Sequence, residues 1–499
     1  MGVWAWVALA ATLLATAGYA LLVWRYGYWR RRGVPAHRPL PLVGSFLDAV
    51  LFRKTVGEVY RDIYRQFSGQ PACGYFKCLQ PALLLRDPEL VGTVLVKDFS
   101  SFKDNDIYMP SDIDPMFGRS PFSEKGDKWK LVRGQLTSTF TPARMRGLKE
   151  QLIQTTEEIS DYLKNESNRE AGIDVKKMAA MAATDAVALC MLGVRGNALR
   201  DKASEFGGMC RFLLDAGLWD SINIIIFLLL PSLSHVLRIR FVPESVAQFF
   251  RKVVREATEV RQKSGLNNPD YLQLSIAVRE KYPEFTEEDA AAHACMFFMD
   301  GFEPTSTTLA LALYHVALDG AVQTRAAAEV DAVLAQHEGR LDYDAAQDLK
   351  YLDMIVCETL RMYPPLRSLD RVCTQRYELS LGAGSVQLEP GTPVVVPVHA
   401  LHHDARFYPQ PERWQPERFD EEQRAARPKY TFLPFGEGPR ICVGQRYATT
   451  VIKLALATVL RDYRLEPRPD TPRAVSHDLN SAFYLAPRET LRLRFLERE

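Results

Sequence analysis

The chain has 499 residues, 47% hydrophobic, 25% charged and 10% aromatic, with a formal net charge of +1. This balance excludes wholesale disorder, and so small a net charge gives no global field for nucleic acid, so no nucleic-acid partner is expected. The eight cysteines form no C-x-x-C pair. A chain this long needs no disulfide staples, and apart from Cys442 they read as buried free thiols.

Residues 3–24 are uncharged and mostly apolar, and are followed by Arg25 and the run Arg30-Arg31-Arg32. As a helix rising ~1.5 Å per residue, this run reaches about 33 Å, enough to cross a hydrocarbon core of about 30 Å. Trp4, Trp6, Trp24, Tyr26, Tyr28 and Trp29 flank it as interfacial aromatics, and the arginines after it leave the rest of the chain in the cytosol. A cleaved secretory signal would be shorter, with its basic residues first and a small-residue cleavage site. Residues 1–24 therefore read as a retained transmembrane anchor, and the sequon Asn165-Glu166-Ser167 as a cytosolic, unmodified one. Residues 25–44 are a basic stop-transfer stretch followed by closely spaced prolines, which favour an extended, stiff hinge. Residues 45–499 contain no repeat or low-complexity linker and read as one catalytic domain.

Helical patterns dominate the first two thirds of that domain. The apolar stretch 219–231 is too short to span a bilayer. It reads either as a buried core helix or as a lid that dips into the membrane beside a substrate entrance. Thr286-Glu287-Glu288-Asp289 is a capping box opening an apolar stretch that runs past Leu313, and predicts a long helix through the core. Strand-like runs are few: 82–86, 394–397 and a tail near 491–495. The expected fold is mainly α with small β-sheets.

The chemistry concentrates in Phe435-Gly436-Glu437-Gly438-Pro439-Arg440-Ile441-Cys442-Val443-Gly444. A cysteine that ligates iron must be deprotonated, so it needs positive charge and N–H donors nearby, and it must reach the metal from a tight loop. Gly436, Gly438 and Gly444 permit the turns. Arg440 supplies charge and reach towards a carboxylate, and Phe435 packs beside the sulfur. The helix expected over 445–460 turns its positive end to the thiolate. The pattern F-x-x-G-x-R-x-C-x-G matches every fixed position of the haem loop of the cytochrome P-450 family, which this chain resembles along its whole length.

Other motifs carry the same resemblance. Glu358-Thr359-Leu360-Arg361 looks like the family's E-x-x-R element, and Pro416-Glu417-Arg418-Phe419 follows at the usual distance, which implies a buried structural cluster of Glu358, Arg361 and Arg418. Trp129 and Arg133 are similar to W-x-x-x-R, whose i and i+4 side chains share a helix face and grip a haem propionate. Arg371 looks like another propionate partner. The stretches 368–373 and 399–404 most resemble the animal microsomal clan of drug- and insecticide-metabolising members, and their His399, His402 and His403 are not read as a metal site.

The resemblance implies the cytochrome P-450 fold with an N-terminal transmembrane helix, haem b on Cys442, and insertion of one oxygen atom from O2 into a lipophilic xenobiotic, lipid or hormone. It further implies the endoplasmic reticulum membrane, electrons from NADPH through NADPH-cytochrome reductase, and cytochrome b5 as a second partner. NADPH is indirect, because no G-x-G-x-x-G follows a strand. Lys128, Lys130 and Lys429 are the expected docking contacts. Phe117, Phe122, Phe212, Phe297, Phe298 and Phe483, with Leu366 and Leu369, are the expected substrate-facing groups.

Asp300-Gly301-Phe302-Glu303-Pro304-Thr305 departs from the family's [A/G]-G-x-[D/E]-T-[T/S], although Gly301 and Glu303 match. Pro304 replaces the threonine that serves proton delivery. It has neither hydroxyl nor N–H, and its ring crowds the Asp300 carbonyl, which predicts a kink. Thr305, about 100° further round the helix, or Glu303 with a trapped water, then has to supply the relay. Without a relay the chain leaks peroxide, or acts as a reductase-independent isomerase or dehydratase of oxygenated lipids; a non-enzymatic haem-thiolate binding protein is a further alternative. Asp300 replaces a small residue. It either caps the helix or holds water, forms an ester to haem as a glutamate does in the family's fatty-acid hydroxylases, or selects a cationic substrate.

Overall fold

A computed structural model describes residues 2–167, 171–201, 203–214, 217–265, 267–382, 384–481 and 483–498. The apolar N-terminal run forms α1 (Val3–Tyr26), exposed almost throughout and long and apolar enough to cross a membrane. The aromatics at its end are not all interfacial. Trp29 is 1% exposed; its Nε1 donates to the Tyr75 carbonyl at 3.2 Å, and its ring fills the space that Gly74 leaves open. Tyr26 donates to the Leu40 carbonyl at 3.0 Å and meets Phe76 edge-on. The proline-rich stretch is also tied down, with Gly74 donating to the Pro35 carbonyl at 2.8 Å and Ser45 to that of Phe76 at 2.9 Å.

The expected strands 82–86 and 394–397 become the middle of a sheet. Strands β1 (Ala72–Lys77), β2 (Gln80–Leu85), β3 (Leu369–Val372) and β4 (Pro393–Val396) pair in the order β1-β2-β4-β3. The β2–β4 pairing is parallel and the other two are antiparallel. The tail forms β6 (Arg492–Glu497), antiparallel to β5 (Tyr463–Pro467).

Among the helices that position the site, α2 (Gly126–Thr137) carries Trp129 and Arg133, and α3 (Val175–Val187) lies along α5 (Glu287–Leu318). Buried alanines of α3 permit that close approach, and a Cβ on Gly301 would lie 2.9 Å from Val187 Cγ2. The helix α4 (Leu218–Leu229) is half-buried, with Phe227 and Leu229 inside and Trp219 76% exposed, so it is a roof and not a core helix. The capping box opens α5: Thr286 N–H donates to Asp289 Oδ2 at 2.8 Å, and Asp289 N–H donates back to Thr286 Oγ1 at 3.2 Å. The helix runs through Pro304 to Leu318 as one element, so the expected kink does not interrupt it.

On α6 (Lys350–Met362), Glu358 and Arg361 are wholly buried and bonded at 2.7 and 2.9 Å, and Arg418 approaches Glu358 at 3.4 Å. Arg361 also donates to the His402 carbonyl at 2.9 Å. Both nitrogens of His402 are used: Leu433 N–H donates to Nε2 at 2.9 Å, and Nδ1 faces the Arg361 carbonyl at 3.1 Å. The buried cluster thereby fixes the chain just before Phe435, and His402 is a structural bridge.

Candidate active site

The loop from Phe435 to Gly444 is shaped by two glycines at positive φ, Gly436 (+73°) and Gly438 (+75°). At Gly438 a Cβ would lie 2.0 Å from the Leu95 carbonyl oxygen, so no side chain fits there. Cys442 N–H donates to the Phe435 carbonyl at 2.8 Å and closes the loop, after which α7 (Gln445–Asp462) begins. Burial pushes the Cys442 thiol up, and the carboxylate of Asp300 adds to this. The backbone N–H groups of Gly444 and Gln445, with the charge of Arg133, favour the thiolate. The sulfur is accessible only because it opens onto an internal cavity of about 310 Å³.

Across that cavity from the loop stand Asp300, Gly301, Pro304, Thr305 and Thr308 of α5; Leu228 and Leu229 of α4 close the top. One edge is cationic. Arg133 Nη2 donates to the Ile441 carbonyl at 2.5 Å, and Arg371 Nη1 donates to Asn105 Oδ1 at 2.8 Å, leaving its buried Nε without an acceptor. Arg440 stacks on Trp129 at 4.3 Å and donates to the carbonyls of Lys103, Pro121 and Glu124. Burial draws Arg371 down to about 10, and burial together with the charge of Arg371 draws Arg440 down to about 9. Three cations at one edge, of which Arg440 alone among the described residues has a paired carboxylate (Asp104 at 3.7 Å), together with a sulfur ligand opening onto the same cavity, fit a haem held there by its carboxylates.

The α5 residues divide by direction. Thr305 lines the cavity, is 2% exposed, and its Oγ1 has no partner. Glu303 is not part of the wall. Its Oε1 accepts from Lys176 Nζ at 2.8 Å and from Thr307 Oγ1 at 3.1 Å, so its carboxylate is held against α3, away from the relay position expected for it. Asp300 does not cap the helix; its Oδ1 accepts from Tyr484 Oη at 2.6 Å, and its carboxyl opens onto the cavity. Burial raises the Asp300 carboxyl to about 6, with the Tyr484 hydroxyl pulling the other way.

Of the expected substrate-facing groups, Phe122, Phe297, Phe483, Leu366 and Leu369 line the cavity. Phe117 and Phe298 are core at 1% and 0% exposure, while Phe212 is 51% exposed and turned outward. Lys128, Lys130 and Lys429 are exposed, and Lys128 pairs with Glu124. Asn105, Lys176 and Tyr484 escaped the sequence reading, because each meets its partner only through the fold and no motif marks it.

A family profile described as cytochrome P450 matches residues 34–492. Among curated proteins, the chain is 33% identical to cytochrome P450 6k1 of Blattella germanica, over 93% of this chain and 92% of the relative. It is 34% identical to probable cytochrome P450 6a13 of Drosophila melanogaster, over 89% and 90%. To cytochrome P450 9e2 of Blattella germanica it is 30% identical, over 94% and 93%.

Proposed function

This chain belongs to the cytochrome P450 family, with insect relatives, and from that premise we propose an NADPH-fed monooxygenase of lipophilic molecules, anchored in the endoplasmic reticulum with its body in the cytosol. Membership makes it a haem-thiolate monooxygenase in general. The substrate class, the flavoprotein reductase as electron source, cytochrome b5 as second donor and the membrane are this proposal's own terms. The observation that carries it is Cys442, flanked by N–H donors and opening onto a cavity with a cationic edge.

Haem b, held through Cys442, would supply oxygen activation, with the thiolate as its electron-donating ligand. Trp129, Arg133, Arg371 and Arg440, which line one edge of the cavity, would hold its carboxylates there. Phe435, partly buried at the start of the loop, lines the cavity together with Cys442. Thr305, which lines the cavity and has a hydroxyl without a protein partner, supplies the proton, the role that Pro304 cannot fill. Gly301 lets α3 press α5 into place, and Lys176 holds the Glu303 carboxylate fixed against α3. Overall, substrate, O2, NADPH and a proton give hydroxylated substrate, water and NADP+.

Purified holoprotein with reductase, NADPH, labelled dioxygen and a panel of lipophilic compounds tests this. One labelled atom per product molecule is expected. NADPH drained only into peroxide overturns it, and turnover of a lipid peroxide without reductase establishes the rearranging chemistry that Pro304 suggests.

A further inference from the structure

Among the described residues, Tyr60, Tyr447 and Tyr484 line the cavity, and their hydroxyls are placed differently. Tyr447 Oη is buried and has no partner. Tyr60 Oη meets another hydroxyl, that of Tyr75, at 3.4 Å. Tyr484 Oη donates to Asp300 Oδ1 at 2.6 Å, so it alone of the three has a carboxylate base on its proton. No cation is bonded to Asp300 among the described residues, whereas Lys176 holds Glu303 of the same helix at 2.8 Å.

For a buried phenol, loss of an electron depends on where the proton can go. A ring that kept its proton would become a buried cation, which is costly. The ring does not ionise beforehand either, because burial and the adjoining carboxylate push the Tyr484 hydroxyl well up. Passing the proton to Asp300 avoids both states. The ring stays neutral, and a buried carboxylate becomes a neutral acid, which removes its own desolvation penalty. The indole of Trp129 in the same wall is placed the opposite way. Arg440 lies over it at 4.3 Å, and taking an electron from that ring would set two positive charges side by side.

We infer that Tyr484 is the chain's own one-electron donor to the haem, with Asp300 as the acceptor of its proton, acting when no substrate takes the oxidising equivalent. One electron leaves the ring for the oxidised haem, the Oη–H bond breaks, and the proton moves to Asp300 Oδ1. The products are a neutral phenoxyl radical, a neutral carboxylic acid and a haem one electron less oxidised. A one-electron reductant such as ascorbate returns the electron, and the proton moves back. Phe483, edge-on to the Tyr484 ring at 4.9 Å, helps to hold that ring in place. This rests on the oxygenase reading and adds a protective step to it.

The test is freeze-quench electron paramagnetic resonance of full-length, substrate-free holoprotein mixed with peracetic acid, which oxidises the haem without reductase or dioxygen. A tyrosyl radical is expected in wild type, and its hyperfine pattern narrows when the protein carries ring-deuterated tyrosine. Tyr484→Phe removes that signal and Tyr447→Phe retains it. Asp300→Asn, which keeps an acceptor oxygen but takes no proton, slows its formation at least about tenfold. All are compared at equal content of the red-shifted carbon monoxide band of thiolate-ligated haem, so that a folding defect is not read as a lost radical. A wild type that shows the band but no tyrosyl radical overturns the inference alone. So does a signal that survives in Tyr484→Phe, disappears equally in Tyr447→Phe or forms as fast in Asp300→Asn. A wild type without the band overturns the inference and the oxygenase reading together.

Discussion

Thr305 and Asp300 lie on the same α5 wall and face the same cavity, yet their environments ask different things of them. The Thr305 hydroxyl has no protein partner, whereas the neighbouring Ser306 and Thr307 are engaged with Glu303 and Lys176, and Thr308 with the Pro304 carbonyl. Thr305→Ala is therefore expected to lower product formed per NADPH by at least about tenfold, the electrons appearing as peroxide in a coupled assay. Asp300 makes a prediction about pH. Its carboxyl is raised to about 6 in the folded chain, chiefly by burial, so the native state holds this proton more tightly than the unfolded one. The stability that this confers is complete at low pH and is lost as pH rises through about 6. Asp300→Asn should thus raise the thermal midpoint of the holoprotein at pH 7–8, and the gain should shrink as pH falls through 6. A gain independent of pH would show that folding does not raise the Asp300 carboxyl.

At the scale of elements, a buried ionic cluster on α6 holds a loop that carries the ligand. Glu358 and Arg361 bond to each other, to Gln415 N–H and to the His402 carbonyl, and His402 in turn accepts from Leu433 N–H. Arg361→Met leaves Glu358 buried without its main partner, at a cost of roughly 3–5 kcal/mol. Chemical denaturation should read this as a lower midpoint, with haem loss preceding global unfolding because the Phe435–Cys442 loop is released first. Motifs within one helix or loop could be read from the sequence, since E-x-x-R and the cysteine loop fix their own geometry within a few residues. Their partners could not. Tyr484 meets Asp300 across 184 residues, Asn105 meets Arg371 across 266 and Lys176 meets Glu303 across 127. In each case tertiary packing, not local periodicity, brings the pair together.

For the whole molecule, the mainly helical fold with small sheets and the long capped helix were legible, because binary patterning and a capping box are local signals. The place where the N-terminal segment joins the body was less so. An aromatic beside an apolar run reads equally well as interfacial or as core, and only the fit over Gly74 decides for Trp29. A variant lacking residues 1–24 should therefore keep the thermal midpoint of the full chain while its membrane affinity falls. Trp29→Ala, which keeps α1, should lose about 3–5 kcal/mol in denaturant titration. Residual membrane binding of the shortened chain would come through exposed Trp219 at the start of α4, and Trp219→Ser in that background should abolish it in a vesicle flotation assay.

The proposed chemistry depends on one sulfur, that of Cys442. The measurement that reaches it most directly is the absorption spectrum of the reduced, carbon monoxide-bound holoprotein, in wild type and in Cys442→Ser at equal protein concentration. Wild type is predicted to give the strongly red-shifted Soret band of a thiolate-ligated haem, and Cys442→Ser to lose that band. A wild-type band at the position typical of histidine ligation, or a red-shifted band that survives in Cys442→Ser, would contradict it.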